Sequence, residues 1–406
     1  MIPGPTGIAF TSRSAHTMEL EKVSADDLVS GDRTLWNMYG EDGKLLIPKG
    51  KIVGNDALLN KLLAMGLYAP KLELLKTRQE WRESKARDNQ RNERPPSTLD
   101  ALINSRKKLD AMVAQLDRGI HGRWLEQKVG ELATEVMTAC ASDSDVAIAM
   151  ILLRQEGKYA VRHMVNAAIV CALVCRSLEK TEAHTRSIVS AALTMNIGMI
   201  EFQDQLKEQK TPLSAAQRAR LERHPMMGAD MLREAGIQDP VWLDAVEQHH
   251  ECIDGSGYPD KLFGKEVCEG ARILSLADLF CARVTPRSYR PAVASNVALK
   301  GILLERGKSL DETVASHFIK TLGIFPPGML VRLANGEIGV VTRAGAKVNT
   351  PQVKSILSAD GHKMGLAMTR DTAVEQFSIR ETVDPRQVST YVNMEAIWGS
   401  AAAHRG

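Results

Sequence analysis

The run His249-His250-Glu251-Cys252-Ile253-Asp254-Gly255-Ser256-Gly257-Tyr258-Pro259 sets two adjacent imidazoles, two carboxylates and a Gly-x-Gly turn side by side. Ordinary core or surface rarely needs such a density of ligand-type side chains, whereas a metal centre does. Neighbouring imidazoles leave a helix end in different directions, so both can serve one ion only where that end faces a cavity. The remaining ligands must then come from elsewhere. His163 in Tyr159-Ala160-Val161-Arg162-His163, His224 in Glu222-Arg223-His224-Pro225 and Asp278 in Leu276-Ala277-Asp278-Leu279-Phe280 each sit on or beside an apolar helical stretch. An unpaired carboxylate is costly to bury there, so Asp278 needs either a cation or a hydrogen-bond partner such as a histidine.

Outward from this run the apolar spacing is helical from Thr98 to about Leu322, as in Leu99, Leu102, Leu109, Met112, Val113 and Leu116, and again in Val161, Val165, Ala168, Ile169 and Ala172. The pattern predicts an all-α domain over 98–322. Before it, residues 35–66 read as strand, a turn over Gly40 to Gly43, strand, and a helix capped by Asn55 and stopped at Gly66. This gives a small α+β domain over 1–75. A mixed-charge linker over 76–97 follows and ends in Pro95-Pro96. After Phe325-Pro326-Pro327-Gly328 the chain changes period: Met329 to Leu333, Asn335-Gly336, then Ile338 to Val341 read as strand, type I′ turn, strand, and a second pair surrounds Asp360-Gly361. A small β-rich domain over 323–406 is expected, so the fold class is mainly α with two small flanking domains.

Composition narrows the function. A chain of 406 residues with 44% hydrophobic content supports a sizeable buried core and two or three domains. Lys plus Arg number 52 against 49 Asp plus Glu, too balanced to predict a nucleic-acid polymer or an anionic membrane as the main partner. The six cysteines form no CxxC pair and read as reduced thiols, which predicts a cytoplasmic setting. Met1 to Met18 lacks a signal pattern, and the apolar stretch Val165 to Cys175 is too short for a span.

Together these residues resemble the HD-GYP family, bacterial metal-dependent phosphohydrolases that degrade cyclic-di-GMP. The resemblance spans roughly Tyr159 to Pro291. It rests on the His249 to Pro259 run, on His224-Pro225-Met226-Met227-Gly228, read as the start of a helix, and on the stretch from Ala271-Arg272-Ile273 through Asp278 to Tyr289-Arg290. It implies an all-helical HD-superfamily bundle at the centre. It places His163, His224, His249, His250 and Asp278 on metal-ligand positions, and Arg287 and Arg290 where basic residues hold substrate phosphates. Asp254, Gly255, Gly257, Tyr258 and Pro259 form the loop implicated in partner contacts, a diguanylate cyclase being one such partner. Glu251 and Asp254 are expected to orient the imidazoles or the loop.

One departure matters. Where the family has its His-Asp pair followed by Ile-Gly-Lys, this chain has Met195-Asn196-Ile197-Gly198-Met199. Hydrolysis by two metals needs an anionic bridge to hold the cations together, and Asn196 is neutral. The thioether of Met195 is a soft ligand, ill-suited to Fe or Mn. The half containing His163 and Asp278 therefore loses ligands, while His224, His249 and His250 survive. The expectation is one divalent ion, Fe, Mn or Zn, or none. The reading favours a degenerate member that acts as a regulatory, cyclic-di-GMP-binding or interaction module, and its alternative is a phosphodiesterase with a mononuclear three-histidine site.

Overall fold

The computed structural model describes residues 8–10, 18–24, 27–28, 33–52, 61–80, 95–116, 124–285, 294–345, 347, 349–388 and 392–404. Two compact units result, Met1–Pro95 and Pro96–Gly406. In the first, strands β1 (Ile8–Phe10), β2 (Met18–Lys22), β3 (Met38–Tyr39), β4 (Leu45–Ile47) and β5 (Tyr68–Pro70) form one sheet in the order β1-β2-β5-β3-β4. The turn over 40–43 joins β3 to β4, with Gly43 at a positive φ. Residues 61–64 and 71–80 are helical, and Gly66 stops the first of these at φ +83°. Asn55 and most of the charged linker lie outside the described residues.

The second unit opens with α1 (Thr98–Leu116), α2 (Trp124–Ser142), α3 (Ser144–Leu153) and α4 (Tyr159–Ser177). Helix α4 is apolar nearly all round, which suits a helix buried at the centre of a bundle rather than on its surface. Seventeen of its residues, Tyr159 to Cys175, are buried. The helix is long and apolar enough to cross a membrane, and 89% of the qualifying window is covered by the surrounding protein. The surrounding helices include α5 (Glu182–Thr194), α9 (Glu269–Val284) and α11 (Glu312–Leu322), together with α1 and α2. Helices α6 (Ile200–Glu208), α7 (Ala215–Glu234), α8 (Pro240–Gln248) and α10 (Ser295–Glu305) complete the bundle.

A five-stranded antiparallel sheet follows in the order β10-β6-β7-β8-β9: β6 (Leu330–Leu333), β7 (Ile338–Arg343), β8 (Gln352–Leu357), β9 (Lys363–Asp371) and β10 (Ile379–Thr382). It leans on α3 through Leu152 and Leu153. Gly328 allows the approach, since a Cβ there would lie 2.8 Å from the Ala149 Cα. The β6–β7 turn departs from the type I′ expectation. That turn needs positive φ at two central residues, but of the pair only Gly336 has one, at +87°. The longer loop, closed by Leu333 N to Glu337 O at 2.9 Å and Gly336 N to Leu333 O at 2.9 Å, removes the need for a left-handed Asn335. The chain ends in α12 (Met394–Trp398), beyond which His404 Nδ1 meets Asp100 Oδ1 on α1 at 2.7 Å.

Candidate metal centre

His224, His249 and His250 come together from two helices. Among the described residues they form the group whose ligand atoms all lie within 4.8 Å of one another. The sequence reading placed His224 at a helix start, and the structure corrects this. Helix α7 begins ten residues earlier, where Ser214 and Gln217 form a capping box, so His224 is mid-helix. Pro225 explains its setting. Proline has no N–H to give to the carbonyl four residues back, which is that of Leu221. His224 Nδ1 takes up that freed oxygen at 2.6 Å. His249 finds an equivalent partner at the C-terminus of α8, where carbonyls are free: its Nδ1 lies 2.6 Å from Val246 O.

These two bonds fix the tautomers. With each Nδ1 donating to a carbonyl, each Nε2 carries a lone pair, and the two Nε2 atoms face one another at 3.3 Å. Two acceptors at that distance repel unless a cation or proton lies between them. Nitrogen ligands sit about 2.0–2.1 Å from a zinc-like ion, so 3.3 Å is a span that two ligands of a single ion readily cover. Burial, reinforced by the neighbouring imidazoles, pulls His224 down to about 3, His249 to about 4 and His250 to about 3, so all three are neutral, as ligands must be. The donor set fits one divalent ion.

The loop after His250 is organised by Glu251, which is 2% exposed. Its carboxylate accepts the backbone N–H groups of Asp260 (2.7 Å), Lys261 (3.1 Å) and Leu262 (3.1 Å). Glu251 thus orients the loop; the expected alternative, a carboxylate behind an imidazole, is replaced by the two carbonyls above. Asp254 is exposed and accepts from Ser256 N at 3.0 Å and Ser256 Oγ at 2.6 Å. Gly257 is irreplaceable on space alone, because a Cβ would lie 2.4 Å from Cys252 N and 2.6 Å from His250 O. Gly255 has φ +76°, and the Tyr258-Pro259 peptide is cis. The fold of this loop brings the Tyr258 ring onto His250, with centroids 4.7 Å apart.

The other half differs. His163 Nε2 and Asp278 Oδ1 meet at 2.6 Å, each using up an atom that could hold an ion. Burial pushes the Asp278 carboxyl up, and the hydrogen bond and charge of His163 more than reverse this, leaving it well below the usual carboxylate range. His163 Nδ1 has no partner, and its ring stacks on Tyr159 at 5.5 Å. Met195 is 0% exposed and Asn196 1%, and both amide atoms of Asn196 lack a hydrogen-bond partner. Next to them Gly198 packs on α7 so closely that a Cβ would lie 2.6 Å from His224 O and 2.8 Å from Gly228 N.

A cavity of about 530 Å³ opens onto this centre. Its wall includes His163, His250, Asp278, Tyr258, Tyr159 and Met199, together with Gln203 and Lys210. Gln203 Oε1 is buried without a partner. Neither Gln203 nor Lys210 was singled out in the sequence, where they sit in plain polar stretches without motif spacing. Arg287 and Arg290 lie outside the described residues.

Residues 146–314 match the family model described as HD domain. The helical core carries an HD domain, similar to those of the HD-GYP type. Curated relatives are similar to the chain. Cyclic di-GMP phosphodiesterase PA4108 of Pseudomonas aeruginosa is 26% identical over 316 residues, which cover 75% of this chain and 74% of the relative. Cyclic di-GMP phosphodiesterase response regulator RpfG of Xanthomonas campestris is 33% identical over 145 residues, 35% of this chain and 38% of that protein. Among solved structures, Bd1817, a HDG"Y"P protein from Bdellovibrio bacteriovorus, superposes with a TM-score of 0.47 at 16% identity, covering 74% of this chain and 98% of that one.

Proposed function

We propose that this HD domain belongs to cyclic-di-GMP signalling and works as a ligand-binding, regulatory module that does not hydrolyse its ligand. One observation supports this above the others: the half of the centre that would hold a second ion is closed on itself. His163 and Asp278 bond each other at 2.6 Å, and the neighbouring position carries the neutral Asn196 in place of an anionic bridge. In-line hydrolysis of a phosphodiester by two metals needs both ions to be held close, and only a carboxylate or hydroxide offsets their repulsion. His224, His249 and His250 would hold a single divalent ion, Fe, Mn or Zn. When bound, that ion would supply Lewis acidity toward a phosphate oxygen. The chain itself contributes shape and charge: Tyr258 and Tyr159 offer flat faces at the cavity wall, and Lys210 offers a cation for a phosphate. The loop from Asp254 to Pro259 leaves Asp254 exposed for a protein partner, of which a diguanylate cyclase is one candidate.

A second reading, a phosphodiesterase with a mononuclear site, draws on the inward-facing Nε2 atoms of His224 and His249. Two measurements separate the readings: metal content of the purified protein, and cyclic-di-GMP turnover with Fe(II), Mn(II) and Zn(II) under reducing conditions. The regulatory reading expects at most one ion per chain, calorimetric binding of cyclic-di-GMP and no turnover. Robust turnover that disappears in His249→Ala would replace it with the second.

A further inference from the structure

Another face of α4 borders a second cavity, of about 210 Å³, with an unusual charge balance. Its lining combines Arg106 and Lys107 of α1, Arg154 and Lys158 of the α3–α4 loop, and Arg162 of α4, against two carboxylates, Asp110 and Glu156. Those carboxylates are engaged: Asp110 with Lys158 at 2.8 Å and Glu156 with Arg154 at 3.5 Å. Arg106 makes no hydrogen bond to either, although the charge of Glu156 offsets part of its own. Its Nη1 donates to Arg154 O at 2.9 Å and its Nη2 to Asn166 Oδ1 at 2.8 Å, both neutral acceptors. Its Nε is buried and has no partner.

A largely desolvated guanidinium whose hydrogen bonds go to neutral acceptors, with one exposed carboxylate nearby, is expensive, and a further anion would compensate it. Burial, then the positive neighbours Arg162 and Arg154, pull Arg106 down to about 9 against the opposing charge of Glu156, so it still carries its charge at neutral pH. The N-terminus of α4 opens onto the same cleft and adds the positive end of its dipole. The cavity holds several water-sized groups, more than a halide requires. Planar guanidinium forks match oxyanions carrying more than one acceptor oxygen.

We propose that this cleft binds a small phosphoryl-bearing anion, with one or two phosphoryl groups, at a site separate from the metal centre. Arg106 is its anchor, Arg162 forms the wall and Lys107 lies at the rim, where its side chain is exposed. The site shares a helix with the centre. Arg162 and His163 are adjacent on α4, and the Arg162 guanidinium sits 5.8 Å from the centroid of Tyr159, which lines the other cavity.

Calorimetry on the full chain, stripped with EDTA and titrated with inorganic pyrophosphate at constant ionic strength, tests this. Saturable binding is expected. It should weaken at least about tenfold in Arg106→Gln and a few-fold in Lys107→Ala, since charge-assisted hydrogen bonds are worth on the order of one to three kcal/mol. Lys107 is exposed, so Lys107→Ala keeps the test valid if Arg106→Gln does not fold. His250→Ala should bind pyrophosphate as the parent does. No saturable heat, equal affinity in Lys107→Ala and the parent, or loss of binding in His250→Ala would each overturn the proposal, the last by placing the anion at the metal centre.

Discussion

The two halves of the centre share one cavity and part company in what each side chain is bonded to. On one side, His224 and His249 spend Nδ1 on main-chain carbonyls and leave Nε2 pointing inward. On the other, His163 and Asp278 spend their inward atoms on each other. A site stays open for an ion when its ligands are steadied from behind, and it closes when the ligands steady one another. The backbone carbonyls that do the steadying are set by Pro225 and by the end of α8, neither of which depends on the ion.

The comparison predicts its largest effect at His249. His249→Ala should reduce affinity for Co(II) or Zn(II) by more than the 10–100-fold that loss of a supporting partner costs, as read by competition with a fluorescent chelator, whereas His163→Ala should change it far less. Equal losses would erase the distinction between the halves. Next in size is a gain: Met195→His with Asn196→Asp should raise metal content from at most one ion per chain toward two, measured by elemental analysis. If the ratio stays unchanged, side chains 195 and 196 are not what closes the second half.

Acid should separate the halves as well. The three imidazoles are held near 3 to 4 in the folded chain, below the 6.5 of a free histidine. The unfolded chain therefore binds more protons between about pH 6.5 and 4, and EDTA-treated protein should lose stability across that window, on the order of a few kcal/mol. Asp278 behaves at lower pH: its carboxyl is depressed, so its contribution is complete above about 3.9 and is lost as pH falls through its folded value. Urea melts at pH 7, 5.5 and 4.5 should show the decline, and His249→Ala should flatten part of it. The smallest effect is expected at Glu251→Gln. Exchanging the charge that collects three backbone N–H groups should cost about 1.5–3 kcal/mol in a urea melt, while metal affinity changes less than in His249→Ala.

Much of this was legible in the sequence because it is written in period and punctuation. Helical spacing marked the bundle, and Gly43, Gly66 and Gly336 marked turns that do adopt positive φ. The three-histidine cluster was legible as well, its members supplied by two separate motifs. What escaped depended on contacts rather than residue types. No sequence pattern says that Pro225 frees a carbonyl for the ring beside it or that Glu251 turns to the loop instead of an imidazole; for Asp278 the sequence leaves a cation and a histidine partner both open, and the 2.6 Å approach of His163 is the second of these. The type I′ turn failed for a local reason: Asn-Gly fits several loops, and the loop length between β6 and β7 decided among them. Lys210 and Arg106 carry no motif, and only the shape of the cavities around them makes them conspicuous.

The contact between Gly198 and α7 has a consequence for how this domain can change. Backbone touches backbone there, so the path of residues 195–199 is moulded by the absence of a side chain at one position and not by the groups that flank it. Whatever occupies 195 and 196 inherits the same seat. The exchange Met195→His with Asn196→Asp would then be made in an unchanged backbone frame, so metal content could change without refolding.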